Sequence, residues 1–372
     1  MADQLWVYFG TYTEPILFGT GKVLQSKGEG IYLFTLDLRT GSLAPKATMR
    51  GIVNPSYLAF SPDGRVLYCV NEFKKFREQA SGAVSAYAIG RDGGLTFLNQ
   101  RATGGTDPCH VSVHDAGSHV FVANFASGSV AVFPVNADGS LAPASDFVQH
   151  HGSSVDPARQ RGPHAHSVTF DAATGLLFVP DLGLDRLVVY EVDAKRGKLR
   201  ARDDLLVAEK PGAGPRSFTF HPSGRYAYLI NELSSTISAF ARERTSGALE
   251  RLQTVSTLPE GFAGHSTCSD VQVTPDGAFL YGSNRGHDTI AGYRIDQGSG
   301  RLSSIGHTAS GGRTPRGFGI DPSGRYLLAA NQDTDDVFTF AIDRASGKLA
   351  RVGEAVKVPT PVCVRFLAAR SD

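Results

Sequence analysis

Short runs in which apolar and polar residues alternate recur along the whole chain, each ended by turn-forming residues. One unit is plain near residue 220. Arg216 to His221 alternates, and Pro222-Ser223-Gly224-Arg225 breaks the run. Tyr226 to Asn231, Ser235 to Ala241 and Leu249 to Thr254 then alternate in turn. A period of two marks half-buried β-strands, and Pro, Ser and Gly mark the turns between them. Each unit closes on the phrase Gly-x-Leu. Its seven copies begin at Gly41, Gly93, Gly139, Gly197, Gly247, Gly300 and Gly347, spaced by 46 to 58 residues. Four strands per period of that size predict an all-β fold, a seven-bladed β-propeller with four-stranded blades.

The turn between the first two strands recurs at Pro62-Asp63-Gly64, Asp115-Ala116-Gly117, Ala173-Thr174-Gly175, Pro275-Asp276-Gly277 and Pro322-Ser323-Gly324. With the unit above, six first strands are accounted for. At the N-terminus, Leu5 to Thr11 already reads as a second strand, and the missing first strand is found at Pro361 to Phe366. The ring is therefore expected to close by N- and C-terminal strands that share a blade, which leaves no open sheet edge. Because blades pack only on their neighbours, all 372 residues read as one propeller domain.

Composition adds mainly exclusions. A net charge of +1 with no basic face gives nucleic-acid binding no support. No apolar run reaches the roughly 18 residues that span a bilayer, so no membrane partner is expected. The start, Met1-Ala2-Asp3-Gln4-Leu5-Trp6, has no basic segment followed by a long apolar one, so it does not read as a secretory signal. Cys69, Cys109, Cys268 and Cys363 are far apart and read as reduced thiols. A cytoplasmic protein is the expectation. No nucleotide loop, metalloprotease helix, nucleophile elbow or cysteine zinc motif occurs, and neither cofactor nor metal is expected.

In a propeller the start of each first strand and the end of each second strand share one mouth of the central channel. First strands begin with Cys109-His110, His164-Ala165-His166, Gly214-Pro215-Arg216, Ser269-Asp270 and Pro315-Arg316. Second strands end with Asn71-Glu72, Asn124, Asp181, Asn231-Glu232, Asn284-Arg285 and Asn331-Gln332. The long connections Glu14 to Glu29, Phe73 to Ser81, Asp146 to Pro163 and Leu258 to Thr267 open on that face as well. Function in repeat folds concentrates on the face with insertions. His166, Glu232, Arg216 and Arg285 are the catalytic candidates; His110, His164, Asp181, Asp270, Arg316 and Asn284 are the substrate-binding ones. Asn71, Asn124, Asn284 and Asn331 equally suit plain turn formers, and Asp181 a turn cap. His114 and His221, at the far turns, are expected to be solvated, and His150 and His151 to serve a loop. The mix with three arginines favours a small anionic ligand, since guanidinium pairs bidentately with carboxylate and phosphate.

The stretches Gly212-Ala213-Gly214-Pro215-Arg216, Phe220-His221-Pro222, Tyr226-Ala227-Tyr228 and Asn231-Glu232-Leu233 resemble those of the seven-bladed lactonase family. So do Cys109-His110-Val111, Val122-Ala123-Asn124, His164-Ala165-His166-Ser167, Asp181-Leu182-Gly183 and Ser283 to Asp288. That family includes bacterial propeller-type 6-phosphogluconolactonases and fungal carboxymuconate-lactonizing enzymes. The resemblance implies a metal-independent site for an anionic lactone or sugar acid, with His166, Glu232, Arg216 and Arg285 at the positions the fungal enzymes use. Many bacterial members carry His after the Gly-Pro-Arg arginine; here it is Ser217. The expected activity is hydrolysis of 6-phosphogluconolactone, with Glu232 or His166 as base and Glu72, the same Asn-Glu pair in another blade, mattering less. The alternatives are a carboxymuconate-type cyclase and a non-catalytic propeller that binds a sugar acid or a protein.

Overall fold

The alternating runs pair in chain order into seven antiparallel sheets, each with four strands along its main path. The computed structural model describes residues 3–18 and 21–370. Blades 2 to 7 have Leu58–Phe60, Pro108–Val113, Thr169–Asp171, Pro215–Phe220, Thr267–Val273 and Pro315–Ile320 as their first, innermost strands. Blade 1 is composite. Pro361–Ala368 pairs with Gln4–Thr11, followed by Gly30–Asp37 and Leu43–Arg50. The shared blade read from the termini is thus present.

The core is a set of seams between blades. Tyr228 and Ile230 of blade 5 pack with Leu280 and Ala291 of blade 6, and Phe9 and Leu36 of blade 1 with Leu328 and Ala330 of blade 7. Equivalent clusters fill the other five seams. The Gly-x-Leu phrase serves both the turn and the seam. All seven glycines have φ between +62° and +85°, where a Cβ is costly. A Cβ on Gly300 would also lie 2.3 Å from the Tyr226 ring of blade 5. The carbonyls accept bonds from neighbouring blades, as in Tyr228 Oη to Gly300 O at 3.0 Å and Tyr8 Oη to Gly93 O at 2.7 Å.

Three expectations change. Asp146–Gln149 is the outer strand of blade 3, not loop, because Leu141 is spent on a bridge to Val135. The blade 4 ladder begins only at Thr169; His164 to Ser167 run ahead of it, tied by the Ala165–Asp181 bridge. His221 is not solvated: it is 3% exposed, and its ring bonds Gly277 O of blade 6 at 3.0 Å.

Candidate active site

Four innermost strands start on one local device, a residue of positive φ followed by proline, and Asn54-Pro55 repeats it just ahead of Leu58 in blade 2. The first members are Asn54, Asp107, Gly214, Thr314 and Thr360, with φ from +39° to +68°. Proline suits a strand start because no ladder bond is asked of it. In blades 3, 5 and 7 the register then slips between Pro108 and His110, Pro215 and Ser217, and Pro315 and Gly317. In blade 6 it slips between Cys268 and Val271. A bulge drops a residue out of the alternation and re-aims its side chain. Cys109, Arg216, Asp270 and Arg316, all at these slips, line one cavity on the channel axis.

Glu232 follows the second strand of blade 5 and is 4% exposed. Its Oε2 lies 2.9 Å from Arg216 Nε and 2.8 Å from Arg285 Nη2, and its Oε1 lies 2.7 Å from Arg159 Nη2. Burial alone would raise its pKa; the three guanidiniums override burial and hold the carboxyl well below the usual range. Glu232 is therefore an ionised anchor for three cations. Arg216 donates further to Ser269 O, and Arg285 to Cys268 O at 2.7 Å. Burial, with Arg216 and Arg316 nearby, lowers Arg285 to about 10 despite Glu232.

Arg159 was not foreseen. It sits in the long connection after blade 3, where no periodicity marks a side chain. Gln160 fixes that loop by donating to Leu182 O at 2.8 Å. Asp185 ties it to the Gly212–Gly214 turn, accepting from Ser154 Oγ, Gly212 N and Gly214 N.

His166 is 8% exposed, and burial together with Arg216 pushes its pKa well below the usual histidine value. It is thus a neutral imidazole at pH 7, able to accept a proton. Cys109 Sγ lies 3.6 Å from His166 Nδ1 and 3.3 Å from His166 O. Across the cavity stands Glu72, 6% exposed, with Tyr12 Oη 3.1 Å from each carboxyl oxygen. Burial raises Glu72 to about 7, against the lowering influence of Arg316. Arg316 stacks over Tyr12 and Phe18, 5.4 and 5.0 Å from their ring centres. Among the described residues it pairs with no carboxylate within 4.0 Å.

The other candidates divide. His110 and Asp270 lie deeper, on the wall between this cavity and a larger one, about 750 Å³, that opens at the far mouth. His110 stacks on Tyr57, ring centres 4.0 Å apart. His164 stands beside the cavity, its ring stacked on Phe125 and bonded to Phe125 O at 2.9 Å. Asp181 and Asn284 are fully buried and committed to the scaffold. Asp181 binds His150 Nδ1 at 2.6 Å and the amides of His164, Gly183 and Leu184. Asn284 donates to Thr257 O and Thr289 Oγ1. Among the described residues no group of three or more His, Cys, Asp or Glu could hold a metal ion.

Comparison with known proteins bears on the family and the fold. A family model described as "Lactonase, 7-bladed beta-propeller" matches residues 6–366. The 6-phosphogluconolactonase of Bacillus subtilis (strain 168) is 37% identical over 97% of both chains. That of Formosa agariphila is 34% identical over 80% of this chain and 83% of its own. The structure of the periplasmic gluconolactonase of Pseudomonas aeruginosa superposes with a TM-score of 0.90, at 36% identity, covering 98% of this chain and 99% of the other.

Proposed function

The chain belongs to the seven-bladed β-propeller lactonase family, and from that premise we propose that it opens the ring ester of 6-phosphogluconolactone to give 6-phosphogluconate. The observation that carries the substrate choice is the excess of guanidinium. Arg159, Arg216 and Arg285 converge on Glu232, the carboxylate held ionised among them, and Arg316 lines the cavity with Arg216 and adds its charge to theirs. Such a site favours an anion beyond the neutral ester, and a phosphate supplies it. Two of the relatives carry that activity in their names.

In this reading Arg316, with no carboxylate of its own, takes the phosphate. Arg216 and Arg285, set by Glu232, face the ester carbonyl and stabilise the oxyanion as water adds. His166 takes the proton of that water. The tetrahedral intermediate then collapses, the bond from the carbonyl carbon to the ring oxygen breaks, and the ring oxygen takes up a proton. His110 and Asp270 line the deeper wall of the pocket. The four cysteines are free and buried, which supports a reducing compartment, and we place the protein in the cytoplasm.

The test is an assay of freshly formed 6-phosphogluconolactone with spontaneous opening subtracted, run beside the unphosphorylated lactone and a carboxymuconate. The phosphorylated lactone is expected to have the highest kcat/KM. Arg316→Ala should raise its KM about 10- to 100-fold, the loss of about 1.5–3 kcal/mol of charge-assisted bonding. Its effect on KM for the unphosphorylated lactone should be much smaller. Equal turnover of both lactones, or a selective loss on the unphosphorylated one, removes the phosphate assignment. Preference for the muconate selects the cyclase.

A further inference from the structure

Ring opening leaves a poor alkoxide leaving group, so a proton donor is needed as well as a base. Glu232 cannot supply that proton: it is ionised, and its oxygens are already shared among three guanidiniums. We propose that Glu72, on the opposite wall from Glu232, is the general acid that protonates the departing ring oxygen, with Tyr12 holding its carboxyl in place. The proposal rests on the lactonase reading above.

Three observations carry it. The first is position. Glu72 follows the second strand of blade 2, as Glu232 follows that of blade 5, and it lines the axial cavity together with His166, Arg216 and Arg316. The second is freedom. Among the described residues no cation lies within 4.0 Å of Glu72, and its hydrogen-bond partner is the Tyr12 hydroxyl at 3.1 Å. That donor orients the carboxyl and leaves it able to gain or lose a proton. The third is the cavity, about 30 Å³, room for water between Glu72 and the groups across from it. Ser56, 5% exposed, also lines it, and its hydroxyl, turned toward the Glu72 carboxyl, favours the carboxylate as Tyr12 does, so the space is polar.

The charged and titratable groups around Glu72 are Tyr12 from blade 1, Arg316 from blade 7, and Asp107 and Cys109 at the start of blade 3. Across the cavity stand His166 and Arg216. Arg316 favours the carboxylate, whereas burial and Asp107 favour the acid. The balance raises Glu72 to about 7, so its acid form persists toward neutral pH, as a general acid there requires.

The proton count closes. His166 takes one proton from water as its oxygen bonds to the carbonyl carbon. Glu72 gives one to the ring oxygen as the carbon–oxygen bond breaks. The product acid ionises to bulk water. The imidazolium returns its proton to the Glu72 carboxylate through the cavity both line. The net change is lactone plus water to carboxylate plus a proton.

The test is kcat and KM of the full chain on 6-phosphogluconolactone from about pH 6 to 8, with spontaneous opening subtracted. Wild-type kcat should fall as pH rises through about 7, as the acid form is lost. Glu72→Gln should lower kcat roughly 10²-fold with KM within about threefold, and its residual rate should lose the alkaline fall. Tyr12→Phe removes a bond that favours the carboxylate, so the fall should move to higher pH; this variant decides the matter if Glu72→Gln does not fold. Turnover by wild type with Glu72→Gln keeping its kcat, or with the alkaline fall unmoved in Tyr12→Phe, overturns the acid role and leaves the lactonase reading intact. No lactone opening by wild type overturns both.

Discussion

Two glutamates that look alike in sequence are driven to opposite ionisation by their neighbours. Each ends a second strand behind an asparagine, Asn71-Glu72 and Asn231-Glu232. Glu232 meets three guanidiniums at ion-pair distance, whereas Glu72 bonds a phenol, and burial outweighs the more distant charge of Arg316. The consequence is measurable as stability. The folded-state pKa of Glu72, about 7, lies above the ~4.3 of a free glutamate, so the native state holds its proton more tightly. This contribution is fully present below about pH 4.3 and is lost as pH rises through about 7. Glu232 is shifted the other way: its contribution is present above about pH 4.3 and is lost as pH falls through its lowered folded-state value. Glu72→Gln should therefore gain on wild type in melting temperature as pH rises from about 5 to 8. Glu232→Gln, which leaves buried cations uncompensated, should be destabilised by about 3–5 kcal/mol near pH 7. Thermal melts of the three proteins at several pH values check this. A difference between wild type and Glu72→Gln that does not change with pH would show that Glu72 titrates normally. The sequence could not give this contrast, because the partners Arg159 and Tyr12 come from a connection without periodicity and from the residue just past a strand of another blade.

Strand boundaries were far more legible, since alternation and turn residues are local signals. The innermost strands of blades 3, 5 and 7 start at Pro108, Pro215 and Pro315, within a residue of where the pattern puts them. The bulge behind each proline was not legible, because register is a property of two strands and the sequence shows one at a time. That bulge carries Arg216 and Arg316 into the channel, so positions were readable where orientation was not. The repeated glycines show both levels at once. Their spacing gave the blade count, whereas their contact with the neighbouring blade needed the fold. Gly353 separates the two contributions: its φ is +59°, yet nothing lies within 4 Å of a built Cβ. Gly353→Ala should cost about 1–2 kcal/mol, the backbone penalty alone. Gly300→Ala should cost about 1–3 kcal/mol more, because its Cβ meets the Tyr226 ring. Urea titrations of the two variants measure the difference, and equal midpoints would mean that the seam yields to the added methyl.

At the scale of the whole molecule, ring closure and the site are one problem. Every blade but the first is contiguous in sequence; blade 1 is joined by Pro361–Ala368 against Gln4–Thr11 across nearly the full length of the chain. That join completes two seams, with Val364 in one and Cys363 in the other. It also holds the mouth that carries the proposed site, because Tyr12, the partner of Glu72, donates its backbone N–H to Thr360 O at 3.2 Å just before the closing strand. The termini predicted this join because a second strand without a first leaves an unpaired edge, and one spare first strand remained. Deleting residues from Pro361 onward should therefore expose the Gln4–Thr11 edge and open both seams, giving an insoluble protein or one that melts far lower. Deleting only from Arg370 onward removes an Arg370 bond to Gly64 O but spares the strand, and should leave melting close to that of the full chain. Soluble fractions and melts of the two truncations decide it. If the longer deletion melts with the full-length protein, the composite blade does not hold the ring. If it melts lower yet still opens lactone at the full rate at low temperature, the link from closure through Tyr12 to Glu72 is broken.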